Sequence, residues 1–598
     1  EGGWHAMLQL SAEQTDEVKA QLKTITPTEL NPEAITFLDP ACGSGHILVE
    51  AYDLFKEIYA ERGYRTRDIP RLILEKNLFG LDIDERAAQL ASFALMMKAR
   101  ADDRQVLSLP TKLNVFSLHE TKGIEFDELA NHFKSLGENN FLFRLLQDTF
   151  LHAKTLGSLI QIPGILENGL PILVDELKKA ISSGNIHSQA ISLVLLPIVA
   201  QATVLAKKFD VVVANPPYMG SGYFNKELKN ELSKLYKTKR SDLYAIFLQR
   251  SFKFLSTCGL LAMITRQDWM FTRSYFDLRV FLCEEHTLEN LVQLGAGAFE
   301  MMSGEVTQTA AFVLRRQQLP SFKSFYVDCC GERREKEQLF LSAPRYKRLF
   351  SDFPLRLGHP ILFHLTDEEL DALSTVQSLG DVFSLREGIH TGENSRFVRM
   401  WWEVDCSKTL ASAGSIEELD RSGARWVPFN KGGTTRRWFW GTEYVIRFDL
   451  ASRNAMAELS GHVRPSQDLY FKEGGTWSDV ATKGFGVRYF PSGCLFADAG
   501  PVVIAPRPYQ ALGLMNSAPF IRLAQYVMPN LHFKCGTLQL MPFVQPSHVA
   551  RSEDVAREAV ELSMNVARSF EEQMIFTSCE ILKHNCGETN LSGSFSIL

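Results

Sequence analysis

Phe209-Asp210-Val211-Val212-Val213-Ala214-Asn215-Pro216-Pro217-Tyr218 is the stretch from which the rest of this chain can be organised. An aspartate followed by an unbroken apolar run predicts a short buried strand of a parallel sheet. In open α/β sheets the carboxyl end of such a strand is where ligands bind. There the run ends in a polar residue, two prolines and an aromatic ring. Pro216 and Pro217 have no backbone N–H and a fixed φ, so they predict a rigid ledge with carbonyls facing outward. The Asn215 side-chain oxygen and the Pro216 carbonyl can both accept from one exocyclic NH2, while the Tyr218 ring stacks on the face of a flat molecule. The bland alternative is a strand that ends in a proline turn.

Upstream, Ile35-Thr36-Phe37-Leu38-Asp39-Pro40-Ala41-Cys42-Gly43-Ser44-Gly45-His46 leads into the apolar-periodic run Ile47 to Tyr59, which predicts strand, glycine turn and helix. The glycines let backbone pass close to a ligand, and the helix start offers unpaired N–H groups and a positive dipole end. The spacing departs from the G-x-G-x-x-G of nicotinamide enzymes. Asp39 stands just before the turn, where it can accept from a ligand's ammonium. A second strand, Leu78 to Leu81, ends at Asp82-Ile83-Asp84, and a carboxylate there can accept both hydroxyls of a ribose. Glycine loop and ribose acid describe a nucleoside pocket.

The segments Asp39 to Gly45 (DPACGSG), Gly80 to Asp84 (GLDID) and Asn215 to Tyr218 (NPPY) resemble the motifs of S-adenosylmethionine-dependent N6-adenine DNA methyltransferases. In that family the first two hold the cofactor and the third holds a flipped adenine. The order of cofactor motifs, catalytic motif and recognition region resembles the gamma class of type I and type IIG restriction-modification systems. Ser241-Asp242-Leu243-Tyr244, opening an apolar helix, and Gly259 to Ile264, reading as the next strand, extend the match. The resemblance implies Asn215, Pro216, Pro217 and Tyr218 as catalytic residues. It implies Asp39, Pro40, Ala41, Gly43, Gly45, Asp82 and Ile83 as cofactor-binding residues, with S-adenosyl-L-methionine as cofactor and double-stranded DNA as partner. Glutamine methyltransferases acting on release factors carry the same tetrapeptide, so NPPY alone leaves the substrate open. One departure concerns the Asp or Glu that the family usually places near the cofactor's adenine. This chain reads Asn114-Val115-Phe116-Ser117-Leu118, where Phe116 could stack instead, and that contact stays unassigned.

A length of 598 residues predicts roughly three or four domains. Net charge is -6, so the molecule is no polycation and any nucleic-acid contact must come from a local basic surface. The ten cysteines are scattered, with Cys329 and Cys330 adjacent and no C-x-x-C, so neither a metal site nor a disulfide framework is expected. Reduced thiols fit a cytoplasmic protein. The chain begins at Glu1, without a methionine or a signal peptide, and is expected to be a fragment or a trimmed chain. Ser188 to Ala206 carries no charge and is long enough to span a bilayer. It holds Gln189, Ser192, Pro197, Gln201 and Thr203 and leads at once into the catalytic strand, so one or two buried helices are expected, with no membrane partner.

The expected fold is α/β: a class I, Rossmann-like methyltransferase domain over 1–330 with a helical insertion over 119–208, a linker over 331–380, an α/β target-recognition domain over 381–545 and a helical tail over 546–598. Helical periodicity in the insertion runs from Phe126 to Phe133 and from Leu170 to Ile181, and its role is open. Glu176-Leu177-Lys178 imitates a nuclease core, but an isolated E-x-K on a polar helix face reads as a solvated pair. Lys226 to Lys239 is lysine-rich and reads either as a solvated helix or as contacts to DNA phosphates. Phe299 to Arg316 resembles the closing hairpin of the sheet. Arg386 to Asn394, followed by Phe397, resembles the opening of target-recognition domains. Trp401, Trp402, Lys431, Arg436, Arg437, Trp438 and Trp440 interleave charge with flat rings, which suits phosphate contacts and base-edge reading or an ordinary aromatic core. Leu512 to Ala518 and Phe533 to Pro542 resemble the elements that close such a domain, and Arg551 to Met574 reads as an amphipathic helix. From Phe37 to Met574 the chain most resembles the BREX-type phage-defence methyltransferases of the PglX family. That resemblance implies methylation of adenine N6 in duplex DNA, with other defence-system subunits as partners. The alternatives are a DNA-recognition subunit or type IIG fragment whose main output is restriction, and a protein glutamine methyltransferase.

Overall fold

The computed structural model describes residues 14–27, 29–108, 110–124, 140–183, 186–235, 242–299, 307–330, 336–433, 435–481, 484–529, 532–570 and 573–575. They divide into two compact units, Glu1–Asp352 and Phe353–Leu598.

The first unit is built on a sheet whose described strands are β1 (Phe37–Asp39), β2 (Leu78–Asp82), β3 (Asn114–Ser117), β4 (Phe209–Ala214), β5 (Leu255–Arg266), β6 (Thr287–Gly295), β7 (Thr309–Arg315), β8 (Lys323–Asp328) and β9 (Arg345–Leu349). Their order is β3-β2-β1-β4-β5-β7-β6-β8-β9. Strands β3 through β5 pair in parallel, and β7 runs antiparallel between β5 and β6. The strand order reverses between β1 and β4, which makes their carboxyl ends the switch-point crevice of an α/β fold. Register at this joint is Phe37↔Val211 and Leu38↔Val212. Asp210 pins it from below: its carboxylate accepts from the Thr36 backbone N (2.9 Å), the Thr36 hydroxyl (2.9 Å) and the Ser256 hydroxyl (3.3 Å).

Helix α1 (His46–Glu61) buries Leu48, Ala51, Tyr52, Phe55 and Tyr59, the single stripe that helical spacing predicts. Helix α2 (Glu85–Asp102) is capped by Asp84, which accepts from Arg86 N at 2.7 Å, and turns Ala88, Ala91, Leu95 and Ala99 inward. Ala91 on that face lets α2 lie close against the glycine turn before α1.

Between β3 and β4 lie helices Asn140–Phe150, Ala153–Leu156, α3 (Gly164–Ser183) and α4 (Ile186–Ala206), with α3 and α4 packed together. The periodicity from Phe126 to Phe133 falls outside the described residues, whereas Leu170 to Ile181 lies within α3. Glu176 pairs with Lys179 at 3.0 Å on the surface. Gln189–Ala206 is apolar and long enough to cross a bilayer. Leu195, Ile198, Val199, Ala202 and Leu205 are buried, and Gln201 holds both the N–H and the carbonyl of His119 at 2.9 Å. A side-chain amide that pairs with a backbone amide in this way docks α4 against the chain leaving β3.

Of the region expected as a linker over 331–380, residues 336–380 are described and carry strand and helix. The sheet reaches as far as Leu349: buried Phe325, Tyr326 and Val327 make β8 an inner strand that β9 covers antiparallel. Beyond Asp352, buried Phe353, Leu357, Ile361, Leu362 and Phe363 precede helix Asp367–Thr375, whose Thr366–Glu369 capping box fixes its start.

In the second unit, strands β10 (Ser384–Arg386), β11 (Val398–Met400), β12 (Trp426–Asn430), β13 (Tyr444–Arg447), β14 (Gly474–Thr476), β15 (Arg488–Phe490), β16 (Leu495–Phe496) and β17 (Val502–Ile504) form two small sheets. Their orders are β10-β17-β14-β15 and β11-β13-β12-β16. Phe429, Ile446, Phe448, Tyr470 and Phe496 share their core. Asn430 ties the sheets together, its Nδ2 donating to Thr476 Oγ1 (2.6 Å) and Gly500 O (3.1 Å). Helix α6 (Pro508–Met515) packs on α7 (Val549–Ala567). Gly513 lies at that crossing, where a Cβ would stand 3.0 Å from Ser552 Oγ. The tail expected beyond 575 falls outside the described residues.

Candidate active site

The crevice is lined by the loops that follow β1, β2 and β4. After β1, Asp39 is buried at 1% exposure and its Oδ1 accepts from Ala41 N at 3.0 Å. Burial pushes its carboxyl up to about 7; the Ala41 bond opposes this and nearby Asp82 adds to it.

The two glycines of the turn do different work. Gly43 has φ +53, and a Cβ placed there would meet nothing within 4 Å, so this side of the loop is open. Gly45, with φ +87, caps α1, and a Cβ there would lie 2.8 Å from Ala91 Cα. Its N–H is taken by Cys42 O at 2.8 Å. Gly43 therefore serves the opening, whereas Gly45 serves the approach of α2.

Asp82 joins the loops after β1 and β2. Its Oδ2 accepts from Gly43 N and its Oδ1 from Asp84 N, both at 2.8 Å. Each oxygen keeps a lone pair with which to accept a hydroxyl. Ile83 beside it is 49% exposed, an apolar ridge for a flat ring. Phe116 pairs with Leu81 across β2–β3, next to the Asp82 end of the strand, and is partly exposed. Asn114 is spent on structure: its Nδ2 donates to Glu75 O at 3.0 Å.

At the end of β4, Asn215 and Pro217 are exposed, Pro216 is buried and Tyr218 is half-buried. The Tyr218 hydroxyl donates to Asn215 Oδ1 at 3.1 Å, and the ring stands edge-on to Tyr244 at 6.2 Å. Burial pushes the Tyr218 hydroxyl well up from its ordinary value, so it remains a donor. The loop beyond is clamped to helix α5 (Leu243–Phe254): Asp242 Oδ1 accepts from Met219 N at 2.8 Å, and Leu243 N donates to Met219 O at 2.9 Å. Ser241 of the expected motif lies outside the described residues.

The sequence expectations thus converge on neighbouring strand ends: Asp39, Pro40, Ala41, Gly43 and Gly45 after β1, Asp82 and Ile83 after β2, and Asn215 to Tyr218 after β4. Sequence reasoning missed Ser158 and Arg250. The signal for Arg250 was a charged residue in a helix whose first six residues are apolar or aromatic; Ser158 gave none.

In the second unit, Arg436 lies over the Trp440 ring (4.3 Å), Lys431 over Tyr444 (5.3 Å), and Trp401 meets Trp402 edge-on (5.9 Å). Arg436 and Arg437 are exposed. In the lysine-rich stretch after the ledge, Lys234 pairs with Glu231 at 2.6 Å, and residues 236–239 lie outside the described residues.

Residues 76–299 match the family described as Eco57I restriction-modification methylase, and residues 13–131 match that described as MmeI, DNA-methyltransferase domain. The adenine-specific methyltransferase BrxX of Escherichia coli O9:H4 (strain HS) is 38% identical, covering 96% of this chain and 49% of that protein. The adenine-specific methyltransferase PglX of Lacticaseibacillus casei (strain Zhang) is 32% identical, covering 93% of this chain and 48% of that protein. The chain therefore spans about half the length of the curated relatives it matches. Among solved structures, a nuclease-deletion mutant of the type ISP restriction-modification enzyme LlaGI, in complex with a DNA substrate mimic, aligns with a TM-score of 0.52 at 12% identity, covering 92% of this chain and 46% of that one. At that identity the likeness speaks for the fold.

Proposed function

The chain is a relative of the adenine-specific methyltransferases BrxX and PglX along nearly its whole length, and from that premise we propose that it transfers a methyl group from S-adenosyl-L-methionine to N6 of adenine in duplex DNA, in a BREX-like phage-defence or restriction-modification system. The observation that carries the reading is the parallel pairing of β1 with β4, which sets the glycine loop beside the Asn-Pro-Pro-Tyr ledge. Two reactants presented from adjacent strand ends are held for direct transfer between them.

The residues present fit the cofactor. Asp39 supplies a buried carboxylate for an ammonium, Gly43 an open backbone surface, Asp82 spare lone pairs for a ribose diol, and Ile83 an apolar ridge for an adenine ring. When bound, the cofactor supplies an electrophilic methyl group on a sulfonium. The chain's own contribution is to prepare the acceptor. An exocyclic amine is a poor nucleophile because its lone pair is delocalised into the ring. Asn215 Oδ1 and the Pro216 carbonyl accept its hydrogens and draw the nitrogen toward a tetrahedral geometry. Its proton leaves after transfer, so no tuned base is required. Holding the two reactants in line lowers the barrier most, by about 7–11 kcal/mol, and the polar ledge lowers it by about 3 kcal/mol more. A paired adenine must first flip out at a cost of a few kcal/mol, which Tyr218 stacking and contacts from a target-recognition domain at 381–545 offset. The Arg436–Trp440 and Lys431–Tyr444 pairs favour nucleic acid over a protein substrate, because they join phosphate-binding charge to base-sized flat surfaces.

Asn215→Ala is expected to bind the cofactor normally and lose methylation by about 10²–10³ in kcat. Near wild-type N6-methyladenine, measured by mass spectrometry of treated DNA, would remove Asn215 from the chemistry.

A further inference from the structure

The insertion between β3 and β4 sends one buried turn into the cofactor side of the crevice. Ser158 is 2% exposed and its hydroxyl donates to Pro40 O at 2.6 Å, inside the glycine loop. Gly157 presents its α-carbon to Ile83; a Cβ there would stand 2.9 Å from Ile83 Cγ2, and its φ of +61 disfavours any other residue. Lys154 Nζ donates to Ile83 O at 2.7 Å, while its backbone N–H is held by Glu120 at 3.1 Å. One short strap thus touches the loop after β1 and the loop after β2, the two segments read as holding the cofactor.

Arg250 locks the strap from behind. It is 4% exposed on α5, with Nε donating to Ser158 O at 3.0 Å and Nη2 to Ile160 O at 2.6 Å and Leu205 O at 3.4 Å, and its guanidinium lies over the Phe254 ring at 3.9 Å. Burying a guanidinium is costly, and an apolar residue would fill the same place without that cost, so its planar fork is explained by the carbonyls it must hold in one arrangement. The same helix begins with Asp242, which holds Met219 just past the Asn-Pro-Pro-Tyr ledge. A single rigid element therefore grips the acceptor loop at its head and the strap two turns later.

We propose that Gly157–Ile160 forms a wall of the cofactor pocket, with Gly157, Ser158 and Arg250 as positioning residues that set cofactor affinity through Pro40 and Ile83. The insertion is in this respect part of the active site. The proposal rests on the reading that the loops after β1 and β2 hold S-adenosylmethionine.

The test is calorimetric titration of the full chain with S-adenosylmethionine and S-adenosylhomocysteine, alongside steady-state methylation and duplex-DNA binding without cofactor. Ser158→Ala removes one buried hydrogen bond and is expected to weaken cofactor binding about three- to tenfold, raising KM for cofactor more than it lowers kcat and leaving DNA affinity unchanged. Gly157→Ala, which adds both strain and a collision with Ile83, is expected to weaken it further. Arg250→Lys should recover part of the affinity lost in Arg250→Met, with melting temperatures showing that each variant is folded. Asp82→Ala serves as the control for the site itself. If wild type binds and Asp82→Ala does not, yet Ser158→Ala and Gly157→Ala match wild type, the strap is not a wall of the pocket and the proposal is overturned while the site stands. If wild type binds neither ligand, both readings fall together.

Discussion

Under the proposed function, the carboxylate of Asp39 makes cofactor affinity depend on pH. Its carboxyl is raised from an ordinary 3.8 to about 7, chiefly by burial. In the unliganded protein it is therefore about 90% ionised at pH 8 and about 10% at pH 6. A ligand ammonium binds the anion and depresses this pKa, so binding releases protons and tightens as pH rises. Because the ligand's own α-amino group titrates near 8 and is about half deprotonated at pH 8, the dissociation constant is expected to rise about fourfold from pH 8 to pH 6, with about one proton released per ligand bound at pH 6. Calorimetry at both pH values, in two buffers of different ionisation enthalpy, measures both quantities. An affinity that does not change over this range, with no proton released, would refute the carboxylate–ammonium contact. The stability effect has the opposite sense. Because the folded pKa lies above the unfolded one, the stability associated with the protonated form is fully present below about pH 4 and is lost as pH rises through about 7. The span from 3.8 to about 7 corresponds to about 4 kcal/mol at most. Asp39→Asn should thus melt higher than wild type at pH 8, bind the cofactor more weakly there, and lose most of the pH slope in both measurements.

Substitutions at three other positions, two in the first unit and one in the second, test further parts of the reading. Gly45→Ala must strain a residue at φ +87 and push Ala91 from 2.8 Å, which should cost about 1–3 kcal/mol and appear as a lowered melting temperature; an unchanged melting curve would mean that α2 is free to retreat. Tyr218→Phe keeps the ring and loses only the hydroxyl that donates to Asn215, so it should stay close to wild type in kcat/KM, whereas Tyr218→Ala should lose about 1–3 kcal/mol of base stacking; equal damage in both would assign the role to the hydroxyl. Arg436→Ala should weaken duplex-DNA binding across sequences and reduce the slope of log K against log salt by about one, and an unaltered slope would leave Arg436 as a packing partner of Trp440.

The parts of this site that were legible in sequence are those whose chemistry is local. Asn215 through Tyr218 follow a strand within one continuous run, and Asp39 through Gly45 lie within one turn, so strand, ledge and loop could be read from adjacent letters. The roles within those motifs were less legible. Gly43 and Gly45 look alike in sequence, and only the position of Ala91, forty-odd residues away, separates the one that opens the loop from the one that admits a helix. The strand that follows 330 was hard to read for a related reason. Val327 and Arg345 belong to partnered strands separated by a stretch with no strand pattern. Arg250 and Ser158 meet across ninety-two residues, and no periodicity in either segment announces a contact made by a side chain to a backbone carbonyl.

The location of the insertion explains why it can take part in the site at all. β3 pairs parallel to β2, with Asp82 opposite Ser117, so the chain leaves β3 at the same edge of the sheet where Asp39, Asp82 and Asn215 stand. To reach β4 it must pass from one side of the switch point to the other, because β1 and β2 lie between them in the sheet. Extra length in this crossover therefore begins at the rim of the crevice, and its first helices can be laid against the loops there before α4 carries the chain back to the start of β4. An insertion in a hairpin such as β6–β7 leaves and re-enters the sheet between adjacent strands and makes no such crossing. Gly157 against Ile83 and Ser158 against Pro40 are what a crossover of this kind can provide: a wall for the donor pocket whose far support, Arg250, belongs to the helix that also fixes the acceptor loop.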